Sequence, residues 1–329
     1  VAYRTFAQQY AKYLDRPAGA PSFGPVGGPA AWTATDLLSR NDWFVELEAD
    51  LLVDFNDALD CIVADNLDVR TLTREQIPLG PLAHHVRNWR EQVADGCGMV
   101  VVRGWPVAEW GLERTELATW CLGLHLGDPG AQNPRGDLLG NVRNVVEAST
   151  ANARLYQTDA DIRFHCDYAD AVGLMCVRQA PIGGESRLAS SAAIHDELWR
   201  RAPELARRLY ASVRLDTRDE SPTPALDVTP FAYDGSRVRT FYHSDYFRSV
   251  SRHGEGFALD RQLVEALDLF DELANSDVFC VRMRLEPGDF QLVSNHAVVH
   301  ARSNFVDDPL APRHLLRLWL SFDSMREYN

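Results

Sequence analysis

The stretch RFHCDYADAVGLM, residues 163–175, sets His165 and Asp167 two positions apart in a segment that reads as a strand. Alternate side chains of a strand share a face, so these two converge on one point while Cys166 turns away. An imidazole and a carboxylate aimed at one point are either two ordinary polar residues or candidate ligands of a facial triad, and the motifs that follow decide between them. That arrangement of two histidines and one carboxylate holds Fe(II) and leaves the opposite side of the ion open. The third ligand has two candidates, His296 and His300, in GDFQLVSNHAVVHARSNF, residues 288–305. A turn at SNHA leaves His296 at its edge, whereas His300 lies inside the next strand-like run and projects inward. The triad is therefore read as His165, Asp167 and His300.

Such a triad needs rigid strands behind it. From about residue 138 the chain is dominated by short strand-like runs: LLGNVRNVV, RFHCDYA, VGLMCVRQA, GESRLAS, then FCVRMRLEPGDFQLVSNHAVVHARSNF and RHLLRLWLSF. Helical patterns at 192–213 and 259–275 interrupt them. The β-branched run GCGMVVVRGWP, 96–106, reads as a buried strand between a helix at 79–95 and another beginning LERTELATW. Residues 33–62 carry apolar side chains at helical steps throughout. This order predicts a mainly β fold with α elements. Its core is a double-stranded β-helix, a cupin-like jelly roll, braced by N-terminal helices and carrying a helical insertion. PAGAPSFGPVGGPA, 17–30, marks residues 1–30 as a Pro/Gly-rich arm ahead of one domain spanning 31–329.

Composition narrows the class. A formal net charge of −14 argues against nucleic acid, whose binders present a basic face, and favours a small-molecule partner. No run approaches the roughly 20 apolar residues of a membrane span. The six cysteines show no CxxC pair, and the first residues lack the order of a signal peptide, so reduced thiols in a cytoplasmic protein are expected. Cys97 and Cys121 should be buried.

The order HxD, GGES (183–186), GDFQLVSNHAVVHAR and RHLLRLWLSF resembles the TauD/TfdA family of Fe(II)/2-oxoglutarate dioxygenases, in the style of its γ-butyrobetaine hydroxylase and clavaminate synthase branches. AWTATDLLSRNDWFVEL and GCGMVVVRGWP are similar to the family's lead-in, so the likeness runs from about 31 to 322. The resemblance makes His165, Asp167 and His300 the iron ligands. It gives Ser186 the hydroxyl on the far carboxylate of 2-oxoglutarate, and Arg313 the guanidinium paired with that carboxylate. The bland account of Arg313 is a surface ion pair with Asp307 or Asp308. Arg317 shares a strand face with Arg313, about 13 Å along it, and is read as a contact to an anionic substrate or as a structural salt bridge. Arg302 follows the family's HxR pattern and is expected in a structural ion pair. Tyr168 and Asp161 flank the motif as candidate substrate contacts. Gln132 and Asn133 are read as local turn residues, and 239–256 as a lid or as packing.

The resemblance implies Fe(II), 2-oxoglutarate and O2 as cofactors, release of succinate and CO2, and oxidation of a small organic acid, amino-acid-derived or natural-product metabolite. Hydroxylation is the default outcome, and desaturation or ring closure shares its opening steps. Asp167 argues against halogenation, which requires a small residue in place of that carboxylate. The rivals are a metal-dependent hydrolase and a jelly-roll sensor without turnover. The hydrolase lacks a general base beside the metal motif and leaves Ser186 and Arg313 without a role, and the intact set of ligands and carboxylate anchors argues against the sensor.

Overall fold

The computed structural model describes residues 3–15, 20–145 and 155–322. Its core is a jelly roll of two sheets that do not close into one barrel. In the seven-stranded sheet the order is Phe44–Glu46, Met99–Arg103, Phe290–Ser294, Ala171–Arg178, His314–Ser321 and Asp128–Pro129, with Leu139–Val142 also paired to His314–Ser321. The four-stranded sheet runs Cys280–Met283, Ser186–Ser190, Val298–Arg302 and Ile162–His165, antiparallel throughout.

The two-residue period of the strands divides the core. Val100, Val102, Met175, Leu292, Leu316 and Leu318 pack on Phe55, Trp89 and Leu122 of the helices Val53–Ala64, Leu82–Ala94 and Val107–Leu126. Met99, Val101, Val172, Leu315 and Trp319 turn the other way and pack with Phe164, Leu188, Val281 and Val299 of the smaller sheet. The large sheet is thus buried on both faces, which is why its strands read as near-continuous apolar runs. Among the described residues no helix is long and apolar enough to cross a membrane.

The structure departs from the expected elements in three places. Residues 33–62 are not one helical stretch: Phe44–Glu46 extends the large sheet, parallel to Met99–Arg103, and separates the helices Ala34–Leu38 and Val53–Ala64. Sheet pairing there overrides a helical apolar period. The 192–213 pattern splits into Ser191–Arg201 and Pro203–Arg208, because Pro203 has no N–H to continue the first helix. Finally, the described part of residues 1–30 includes regular structure. Phe6–Leu14 is a helix opened by a Thr5–Gln8 capping box, and Tyr13 is fully buried. Only the segment from residue 20 onward is irregular, as its Pro and Gly content predicts, and the Asp196 carboxylate holds it by accepting from the Val26 and Gly27 N–H groups at 2.8 Å each.

The 239–256 segment packs. Phe241, Tyr242 and Phe247 are fully buried. Its far end is tied down by the buried Asp216, which accepts from Arg252 Nε at 2.8 Å, from Ser249 Oγ at 2.7 Å and from the Arg218 N–H at 2.9 Å, with His253 Nε2 at 3.1 Å. Burial alone would raise the Asp216 carboxyl, but these donors hold it far below the ordinary carboxylate range. Asp216→Asn is expected to cost about 2–4 kcal/mol at pH 7 in denaturant unfolding. A depressed pKa contributes stability above the unfolded value, near 4, and loses it as pH falls below. The gap between wild type and variant should therefore narrow at pH 3.

Candidate metal and cosubstrate site

Two strands deliver the histidines. In the pairing of Val298–Arg302 with Ile162–His165, His300 lies directly opposite His165, and the ring centroids are 4.3 Å apart. His165 ends its strand, so Asp167 owes its position to something other than the ladder. Its N–H donates to Asn295 Oδ1 at 2.9 Å, and Asn295 Nδ2 donates to the Ala169 carbonyl at 2.9 Å. Ligand atoms of His165, Asp167 and His300 come within 4.8 Å of one another, with His300 Nε2 at 3.8 Å from Asp167 Oδ2. His165 Nδ1 sits 2.9 Å from the Arg163 carbonyl, which places its proton there and leaves Nε2 as the lone-pair nitrogen. His296 goes elsewhere: its Nε2 is 2.8 Å from Asp170 Oδ1.

Electrostatics prepare this set for a cation. Burial pushes the His300 imidazolium down to about 3, helped by His165, so the ring is neutral at physiological pH. Burial would raise the Asp167 carboxyl, but Arg317, then His300 and His165, outweigh it and bring it down to about 2. Two imidazoles and an ionised carboxylate match the donors a divalent first-row metal takes. Arg317 Nη1 lies 3.4 Å from Asp167 Oδ1, and Arg317 Nε donates to Gln132 Oε1 at 2.8 Å. Its guanidinium carbon is 4.6 Å from the Tyr156 ring centroid and 5.1 Å from that of Trp319. Of the two readings of Arg317, the geometry supplies the salt bridge.

The same cavity is lined by Ser186, Arg302, Arg313 and Leu174. Arg313 is buried, its Nε donates to Gln179 Oε1 at 2.8 Å, and its Nη1 has no partner. Burial lowers its pKa only to about 10, so it remains a cation. Asp307 accepts the backbone N–H of Arg313, and no surface ion pair of the guanidinium forms among the described residues. The GGES turn makes room for this: Gly184 has φ +72°, and a Cβ there would stand 2.9 Å from Gln179 Oε1 and 3.0 Å from Arg313 Nε.

Other expectations need correction. Arg302 makes no ion pair among the described residues; its Nη2 donates to the Thr158 carbonyl at 2.9 Å and the Ala160 carbonyl at 2.5 Å. Asp161 pairs with Arg187 Nη2 at 2.6 Å and is not part of the cavity wall. Tyr168 packs on Tyr10, with ring centroids 4.4 Å apart, and faces a separate cavity of about 370 Å³ between the helix Phe6–Leu14 and residues 217–227. Gln132 bonds locally as expected, through its N–H to the Asp137 carbonyl at 2.9 Å and its Nε2 to the Leu138 carbonyl at 3.0 Å, and is in addition a buried support for Arg317; Asn133 also bonds locally, accepting from the Arg135 N–H at 3.0 Å. Sequence reasoning missed Asn295 and Gln179, whose partners lie more than a hundred residues away. It also missed His243, buried 5.2 Å from the His165 ring and stacked on Tyr246 at 3.6 Å.

Comparison with known proteins agrees with this chemistry. Residues 68–319 match the family described as "Taurine catabolism dioxygenase TauD, TfdA family". FR-33289 synthase of Streptomyces rubellomurinus is 32% identical over 313 residues, covering 92% of both chains. L-asparagine oxygenase of Streptomyces coelicolor is 29% identical over 242 residues, 63% of this chain and 66% of that one. Among solved structures, asparagine oxygenase in complex with Fe(II), 2S,3S-3-hydroxyasparagine and succinate superposes with a TM-score of 0.68 at 19% identity, covering 84% of this chain and 93% of that one. The non-heme iron oxygenase OrfP in complex with Fe and alpha-ketoglutaric acid gives 0.63 at 16% identity, covering 84% of this chain and 94% of that one. The chain belongs to the TauD/TfdA family and is a non-haem Fe(II)/2-oxoglutarate-dependent dioxygenase.

Proposed function

We propose that His165, Asp167 and His300 hold the Fe(II), that Ser186 and Arg313 receive the distal carboxylate of 2-oxoglutarate, and that the enzyme hydroxylates a small amino-acid-derived or natural-product metabolite. The observation that carries this reading is one cavity with an ionised carboxylate and two imidazoles on one side and a buried guanidinium with a free N–H on the other. The bound metal would supply the place where O2, the oxidant, takes two electrons from the keto acid and two from a substrate C–H bond, one oxygen atom leaving in succinate and the other in the hydroxylated product, with CO2 released.

The protein's own groups have separate tasks. Asp167 is kept ionised by Arg317, Asn295 fixes its backbone, and the His165 tautomer presents Nε2. Leu174, Leu188 and Val172 line the cavity with apolar surface that excludes water around the charges. The substrate class is supported by the relatives, which include L-asparagine oxygenase and FR-33289 synthase. Tyr168 follows Asp167 in the chain and is the candidate substrate contact, while the target C–H bond itself must reach the cavity lined by His165, Asp167 and His300.

Anaerobic addition of Fe(II) and 2-oxoglutarate to the metal-free protein should produce a weak visible charge-transfer band that His165→Ala lacks. Absence of the band in wild type with iron bound would sink this reading. Replacing Arg317 with Met leaves burial to act on Asp167 with little opposition. Its carboxyl pKa, followed by ¹³C NMR in metal-free protein, should rise by about 1–3 pH units from about 2. Because the metal takes the carboxylate, the acid limit of metal binding should move to higher pH in the same variant. An unmoved carboxyl titration would deny Arg317 this role.

A further inference from the structure

We infer that Arg302 is a second guanidinium for the distal carboxylate of the keto acid, acting with Arg313 and Ser186 as a two-arginine clamp. The inference rests on the cosubstrate reading above and adds to it a residue whose hydrogen bonds, among the described residues, run to backbone carbonyls.

Position comes first. Arg302 stands two residues after His300 on Val298–Arg302, so both side chains leave the same face of the strand. It is also directly opposite Ser186 across the ladder, and directly opposed residues project to the same side. Metal ligand, hydroxyl and guanidinium are therefore delivered to one cavity by two adjacent strands.

The side chain is 7% exposed, and its Nε and Nη1 are buried with no hydrogen-bond partner. Its Nη2 is spent on the Thr158 and Ala160 carbonyls, which fix the guanidinium without neutralising it. The Arg302 guanidinium carbon is 4.8 Å from the centroid of Phe305, and that of Arg313 is 5.2 Å from the same ring. Two cations that line one cavity thus share one aromatic ring, and neither meets a carboxylate within ion-pair distance among the described residues.

Burying a cation is costly unless something pairs with it, and two together repel. Burial, then Arg313, accordingly brings the Arg302 pKa down to about 9. Among the described residues the one carboxylate that lines the cavity, Asp167, already faces Arg317. An incoming distal carboxylate is the missing counter-charge. Its two oxygens offer about four acceptor positions, enough for Ser186, Arg313 Nη1 and the two free nitrogens of Arg302.

The competing account is that Arg302 only braces the backbone at 158–160. Calorimetric titration of anaerobic Fe(II)-loaded enzyme separates the two, using 2-oxoglutarate and 2-oxopentanoate, which keeps the chelating end and lacks the distal carboxylate. Arg302→Met should weaken 2-oxoglutarate about 10–100-fold while leaving 2-oxopentanoate within about 3-fold. Arg302→Lys, which keeps the charge and protects the fold, should recover part of the loss. The Arg302→Met, Arg313→Met pair should lose less than the two single losses combined, because both act on one group. Equal weakening of both ligands, or a lowered melting temperature with unchanged ligand preference, would overturn the clamp and leave the brace. Failure of the wild type to bind 2-oxoglutarate at all would instead overturn the cosubstrate reading, and the clamp with it.

Discussion

The pairing of His165 with His300 across two antiparallel strands is the constraint on which the site depends. Side chains alternate between faces, so a one-residue slip of Val298–Arg302 against its neighbours would turn His300 and Arg302 away from the cavity together. The same register aligns Arg302 with Ser186. The fold holds it by burying both faces of the neighbouring large sheet, and by joining the inner faces of both sheets in one apolar core.

Charge is the second organising quantity. Among the described residues three arginines line the cavity, and the one carboxylate that lines it is already committed to Arg317. Glutamine does the positioning around them: Gln132 receives Arg317 and Gln179 receives Arg313, each through a neutral acceptor. A carboxylate in either place would have cancelled the charge that an anionic ligand needs. An amide fixes the guanidinium and leaves its charge available.

Much of this was legible in the sequence because it follows from local period. The strand character of VVHAR and the glycines of GGES are short-range facts, and the elements they predict stand where expected, whereas the HxD strand stops at His165 and Asp167 lies in the turn beyond it, held by Asn295. Asn295, Gln132 and Gln179 were not legible in this way, since each acts on a partner separated from it by 128 to 185 residues. Phe44–Glu46 was misread for a related reason: its strand state is imposed by Met99–Arg103 and not by its own pattern. The ion pair expected for Arg302 failed because charge pairing on a sequence cannot tell a guanidinium neutralised by protein from one waiting in a cavity.

The N-terminal helix shows how far the site extends into the fold. Gln9 Nε2 donates to the Tyr168 carbonyl at 3.1 Å, and the Tyr13 hydroxyl donates to the Asn295 carbonyl at 2.8 Å. Asn295 in turn holds the Asp167 N–H, and its own N–H donates to the Asp170 carbonyl at 3.0 Å. Asp170 is fully buried, faces His296, and accepts the Phe322 N–H at 3.0 Å. The turn that carries Asp167 is therefore bonded to residue 9, to residue 295 and to residue 322, from both ends of the described chain. A helix that looks peripheral in sequence is part of what keeps the carboxylate in place.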